Sequence, residues 1–150
     1  MNNLLLISLN TLTKKQINEY VNDFLQQIEN EYDLKDTPLI LEQDNRISCM
    51  GFIEDDFVIK FNLKLHTNLI DLYWTLAHEI GHLYYSNKDA RKDTEYRAED
   101  FALNYMITYF PEYKYYYKNV RKIELMSKEF KQKNPKHYKA YLKTYLKYLN

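Results

Sequence analysis

The chain has little of what interrupts regular structure: 2 glycines and 3 prolines among 150 residues. Few positions can therefore turn freely, and a Gly/Pro-rich linker between separate domains is excluded. Cys49 is the only cysteine, so no internal disulfide can form, and the expectation for it is a small buried apolar group. No apolar run reaches the roughly 18 residues of a membrane span. The opening stretch Met1 to Ile7 is short for a secretory leader and has no basic residue ahead of its leucines. These absences together lead to the expectation of a cytoplasmic protein without a membrane partner.

Net charge is also missing, since 21 Lys/Arg balance 21 Asp/Glu, but the balance conceals a division. Residues 112–150 hold 11 Lys/Arg against 3 Asp/Glu and include 8 of the 16 tyrosines. A basic, aromatic segment of this kind can follow a nucleic-acid backbone. It can equally be a set of helices with solvated lysines and inward tyrosines, and charge blocks alone are weak signs of a partner.

With 45 % hydrophobic residues the sequence is that of a globular protein large enough for one domain with its own core. Thr13 can cap a helix running to about Tyr32, in which Ile17, Tyr20, Val21, Phe24, Leu25 and Ile28 recur at helical spacing. Pro38 to Glu42, Ile47 to Ile53 and Phe57 to Asn62 read as short strands, the last two joined by the acidic turn Glu54-Asp55-Asp56. Helices are expected at Leu69 to Tyr85 and Glu95 to Tyr109, the second ended by Pro111. The remainder reads as helical with a break near Asn134-Pro135. The expected fold is one α+β domain: an N-terminal helix, a small three-stranded antiparallel sheet, then helices. Its core spans about residues 12–110, and the basic, Tyr-rich helical part occupies 111–150.

The chemistry is concentrated at His78-Glu79-Ile80-Gly81-His82, which has the form H-E-x-x-H. Residues four apart on a helix lie about 40° apart around the axis and about 6 Å along it, so both imidazoles can reach one ion. Zinc takes His nitrogens at about 2.0–2.1 Å and, in catalytic sites, keeps a position open for water. Glu79 points to the flank, where it can take a proton from that water. With 4 His and 11 Glu in the chain, chance would produce the pattern with a probability of roughly one per cent. Leu69, Leu72, Tyr73, Leu76, Ala77, Ile80, Leu83 and Tyr84 form the apolar arc of this helix, and His78 and His82 lie on the opposite side. The alternative role for the pair is as core histidines bonded to backbone carbonyls.

A third ligand is required. Tyr85 and Lys88 stand where an extended H-E-x-x-H-x-x-G-x-x-H motif would have glycine and histidine. A carboxylate following the helix is the other common solution, and Asp89, Asp93, Glu95, Glu99 and Asp100 are the candidates. On the second helix Glu95 and Glu99 fall beside the stripe of Ala98, Ala102, Tyr105 and Tyr109, whereas Asp100 falls on the polar arc with Arg97, Asn104 and Thr108. One of the two glutamates can bind the ion while the other accepts the N–H of a ligand histidine. Either can also be an ordinary surface ion-pair partner.

Thr75-Leu76-Ala77-His78-Glu79-Ile80-Gly81-His82, followed by Glu95-Tyr96-Arg97-Ala98-Glu99-Asp100-Phe101-Ala102, resembles the ImmA/IrrE-type metallopeptidases over about residues 38–110. The first motif is shared by many zinc peptidases, and the second, at this short distance, is the more specific. The resemblance implies that Glu95 is the third zinc ligand, which leaves Glu99 as the carboxylate behind it. Arg97 departs from the glutamate common at that position, and Tyr109-Phe110-Pro111 replaces Leu-Met-Pro. The resemblance further implies a protein substrate, a repressor-like transcriptional regulator of a mobile element.

The leading expectation is thus a zinc endopeptidase with His78, His82 and Glu95 as ligands and Glu79 as base. It could pair an extended substrate with strand Phe57 to Asn62 if that strand is a sheet edge. The alternatives are a regulator that keeps the zinc but holds a repressor without turnover, and a nucleic-acid binder using the basic C-terminal part. Intact Glu79 favours the first over the second, and no recognition motif supports the third.

Overall fold

The structure is a computed structural model that describes residues 7–34, 39–47, 49–55, 58–86 and 94–150. Helices α1 (Lys14–Glu31), α2 (Leu69–Ser86), α3 (Thr94–Tyr109), α4 (Lys114–Met126), α5 (Lys128–Lys133) and α6 (Pro135–Thr144) dominate it. Three short strands, β1 (Ile40–Gln43), β2 (Gly51–Asp55) and β3 (Val58–Phe61), stand between α1 and α2 in sequence. Internal contacts divide the chain into two compact units, Met1–Glu79 and Ile80–Asn150, with the division inside α2.

In the first unit, α1 begins with a full capping box: Thr13 accepts from the Gln16 N–H, and the Gln16 side chain accepts from the Thr13 N–H. Its apolar face buries Ile17, Val21, Phe24 and Ile28. Phe24 stacks on Tyr73 of α2 with ring centroids 4.3 Å apart, and the Tyr73 hydroxyl donates to the Tyr20 carbonyl at 2.9 Å. Leu69, Ile70, Leu72, Leu76 and Ala77 of α2 are fully buried, each large side chain contributing about 1.5–3 kcal/mol.

The sheet order is β1-β3-β2, with β1 parallel and β2 antiparallel to β3. Ile59 and Phe61 are buried and alternate with the less buried Val58 and Lys60, as a period of two requires. The expected α+β fold with a three-stranded antiparallel sheet is overturned: the protein is mostly helical, and its small sheet contains a parallel pair. The β2–β3 pairing is local and follows from the hairpin signal, with a register irregularity between Ile53 and Asp55. β1 instead skips its sequence neighbour and pairs with β3, a choice that no turn residue specifies. β3 is therefore central, with both edges hydrogen-bonded, and cannot receive a substrate strand as expected.

Other expectations also need correction. Cys49 is exposed rather than buried. The second strand starts at Gly51, not Ile47. Pro38 and Asp56-Phe57 lie outside the described residues.

In the second unit, Ala98, Phe101, Ala102, Leu103, Tyr105 and Met106 of α3 are buried. Phe101 meets Tyr84 of α2 at 5.3 Å between centroids. Tyr113, Tyr117, Ala140 and Leu149 complete this core from the C-terminal helices. Pro135 opens α6, where its missing N–H costs nothing. A break at Ser127, which accepts from the Phe130 N–H at 3.1 Å, separates α4 from α5 and was not expected from the sequence.

Candidate metal centre

The position of α2 is set by polar contacts at its start. Asn68 accepts from the Asp71 N–H at 3.0 Å and thus caps the helix, and the same residue forms an antiparallel bridge with Ser8. One turn further on, His66 holds Thr75. Its Nδ1 lies 2.7 Å from the Asn62 carbonyl, which can only accept, so Nδ1 carries the proton. Nε2 then accepts the Thr75 hydroxyl at 2.7 Å. Burial lowers the His66 pKa and keeps the ring neutral.

His78 and Glu79 follow, 9 % and 8 % exposed, and the His82 side chain is 20 % exposed. Gly51 of β2 runs directly against this helix: a β-carbon there would lie 2.8 Å from Thr75 Cγ2 and 3.7 Å from Glu79 Cγ. A side chain at Gly51 would therefore press on the turn that carries Glu79.

The second glycine performs a similar service for α3. A β-carbon on Gly81 would lie 3.0 Å from both Cα and O of Ala98 and 3.1 Å from Phe101 Cβ. The absence of a side chain lets α3 come close enough for Glu95, one turn before Ala98, to reach His82. Glu95 Oε1 lies 3.3 Å from His82 Nε2. His78, His82 and Glu95 each present one ligand atom, and these atoms lie within 4.8 Å of one another. These three side chains could hold a metal ion. Among the described residues no other group of three His, Cys, Asp or Glu side chains has that spacing.

The other carboxylates separate clearly. Glu99 is fully buried, as its helical phase implied, and its Oε1 takes the Arg121 guanidinium at 2.8 Å. Asp100, expected to face water, is half-buried and takes Lys147 Nζ at 2.8 Å and the Tyr148 hydroxyl at 2.7 Å. Asp89 and Asp93 lie outside the described residues.

Two contributions were missed by reading the sequence. His137 of α6 places Nε2 at 3.2 Å from Glu95 Oε2, so one carboxylate spans two histidines. Arg121 of α4 lies 3.9 Å over the Tyr141 ring and also pairs with Glu124 at 2.7 Å. Burial works against the Arg121 charge, but Glu99, Tyr141 and Glu124 outweigh it, and the pKa is raised. Counting all four histidines would have flagged His137, but its partner lies 42 positions earlier in the chain and follows only from the packing of α6 on α3.

No family model matches the chain, and no curated protein and no solved structure matches it. Among the described residues no helix is long and apolar enough to cross a membrane.

Proposed function

We propose that the chain is a zinc-dependent endopeptidase, with His78, His82 and Glu95 as ligands and Glu79 as general base. The observation that carries this reading is the meeting of the H-E-x-x-H histidines with a carboxylate from the next helix. Two ligand atoms on a tetrahedral zinc, each about 2.0–2.1 Å from it, lie about 3.3 Å from each other. The 3.3 Å between His82 Nε2 and Glu95 Oε1 has that length before any ion is added. Three protein ligands leave a fourth position for water, the mark of a catalytic rather than a structural site.

Zinc bound there would acidify that water and polarise a peptide carbonyl. Glu79 would take the proton from the attacking water and hand it to the departing amine. His137, on the outer oxygen of Glu95, would fix the orientation of the ligand carboxylate. With β3 enclosed, β1 and β2 are the edge strands, and β2, whose Gly51 lies beside Glu79, is the one next to the site and able to pair with an extended substrate. A substrate related to transcriptional repressors of mobile elements, in the cytoplasm, is what the resemblance to ImmA/IrrE-type metallopeptidases adds. Holding a repressor without turnover would leave Glu79 without a task. Nucleic-acid binding by the C-terminal part has to contend with the packing of Tyr113, Tyr117 and Arg121 inside the unit.

Metal analysis of the purified chain tests the proposal: about one zinc per chain is expected. Glu79→Gln should keep the zinc and lower peptide hydrolysis by about 10²–10⁴-fold, since an amide cannot accept the proton. Failure to retain zinc, even when it is supplied, would overturn the reading, and full activity of Glu79→Gln would remove the base from it.

A further inference from the structure

A cavity of about 370 Å³ lies beside Glu95, between the first turn of α3 and α6, and three of its described lining residues are lysines. Lys136, Lys139 and Lys143 line it from α6, facing Tyr96 and Glu95. Their spacing of three and four residues puts all three ammonium groups on one helix face. Ala140, almost fully buried between them, contributes no side chain that would fill the space. Lys143 lies 3.9 Å over the Tyr96 ring, which steadies it across the cavity. Lys136 and Lys139 have no ion-pair partner among the described residues. Among the described residues the single carboxylate in the lining is Glu95, and both its oxygens are engaged, one by His82 and one by His137. The positive end of α3 adds to the same sign. The basic character of residues 112–150 thus has a concave focus next to the candidate ligand set.

We infer that this cavity is a substrate subsite that takes an acidic side chain, so that the peptide bond cut lies close to an Asp or Glu of the substrate. The inference rests on the peptidase reading, in which Glu95 gives its charge to the ion and Lys136 and Lys139 face no other carboxylate among the described residues. Glu95 belongs to both the cavity and the ligand set. A side chain in the cavity therefore leaves its own backbone roughly two residues, at 3.3–3.6 Å each, from the bond held at the metal. The dimensions favour a peptide over a nucleic acid. The cavity seats one or two side chains rather than a run of phosphates, and the Tyr96 face that could stack a base is covered by Lys143.

The test uses the full chain carrying Glu79→Gln, so that the probes stay intact, with zinc supplied and its uptake measured separately. Fluorescein-labelled hexapeptides containing two adjacent Glu or two adjacent Gln, and a labelled ten-nucleotide oligothymidylate, are titrated by fluorescence anisotropy at low salt. The Glu peptide should bind at least tenfold tighter than the Gln peptide. Lys136→Glu with Lys139→Glu should reduce that preference below twofold, and Lys114→Glu with Lys122→Glu, an equal charge change on exposed positions of α4, should leave it in place. Equal binding of the two peptides, or equal losses in both charge-reversed proteins, would overturn the inference. Tighter binding of the oligonucleotide, lost in the α6 variant, would assign the cavity to phosphates instead. If the chain takes up zinc and shows no preference, the subsite fails and the metal reading survives. If it takes up none and still prefers the Glu peptide at these lysines, an acidic-ligand site stands without the peptidase.

Discussion

Replacing Gly81 by alanine adds one methyl group where α2 runs against Ala98 and Phe101 of α3. The new carbon would sit 3.0 Å from Ala98 Cα and O and 3.1 Å from Phe101 Cβ. Non-bonded carbons rest at about 3.5–4.0 Å, so each carbon contact is short by about half an ångström. Two of the three opposing atoms are backbone, which no rotamer change can move. Alanine returns about 1 kcal/mol through its helix preference, while overpacking costs about 1–3 kcal/mol. The net effect on stability should run from nearly nil to a loss of about 2 kcal/mol. The metal site is the more sensitive reporter. Pushing α3 away at Ala98 also carries Glu95 away from its 3.3 Å contact with His82. Zinc affinity should fall by about 10-fold or more, the scale at which misplaced ligand support is felt. Urea unfolding followed by circular dichroism gives the first quantity, and competition against a chromogenic chelator gives the second. A variant about 1 kcal/mol more stable than the parent, with zinc affinity unchanged, would refute the view that this glycine sets the ligand spacing.

Three further outcomes are expected. Glu95→Ala should nearly abolish zinc binding, and His137→Ala should weaken it by about 10–100-fold with partial rescue in His137→Gln, as chelator competition would measure; equal, negligible losses would remove both from the site. Arg121→Met leaves the fully buried Glu99 without its guanidinium and should cost about 3–5 kcal/mol in urea unfolding. The added change Glu99→Gln should recover part of that loss, and a cost below 1 kcal/mol for Arg121→Met alone would show the pair to be dispensable. Burial lowers the His66 pKa, so the unfolded chain binds its proton more readily. The stability this residue contributes is present above the ordinary His value of about 6.5 and is lost as pH falls below it. The urea midpoint should therefore drop between pH 7.5 and pH 5.5, and drop less in His66→Gln; equal drops would exclude His66 as the source.

What could be read from the chain follows the range of the interaction concerned. α2 needed only its own spacing, and its predicted limits, Leu69 to Tyr85, differ from the observed helix by one residue. Helical phase likewise placed Glu95 and Glu99 inward, because burial on a helix has a period that the sequence displays. The β2–β3 pairing was legible because the two strands are only two residues apart in the chain. The parallel pairing of β1 with β3 was not, since the partner is chosen by packing of the whole sheet. Asp100 was assigned to water from phase alone, but Lys147 and Tyr148, far along the chain, fold back onto it. The same distance hid the most informative contact at the site, that of His137 with Glu95. Cys49 was misread because its small size fits a core and also a loop.

The hold that the C-terminal helices keep on α3 bears on the order in which the protein becomes competent during synthesis. His78, His82 and Glu95 leave the ribosome well before Arg121 and His137. Until those two arrive, Glu99 has no guanidinium to enter the interior with, and Glu95 has no support on its outer oxygen. Metal capture should then be a late event, completed only once α6 has emerged and folded against α3. A chain arrested before residue 137 would carry the whole H-E-x-x-H motif and still bind zinc poorly. On the proposed peptidase reading, such a delay would keep the activity from ripening while the chain is still tethered among other nascent polypeptides.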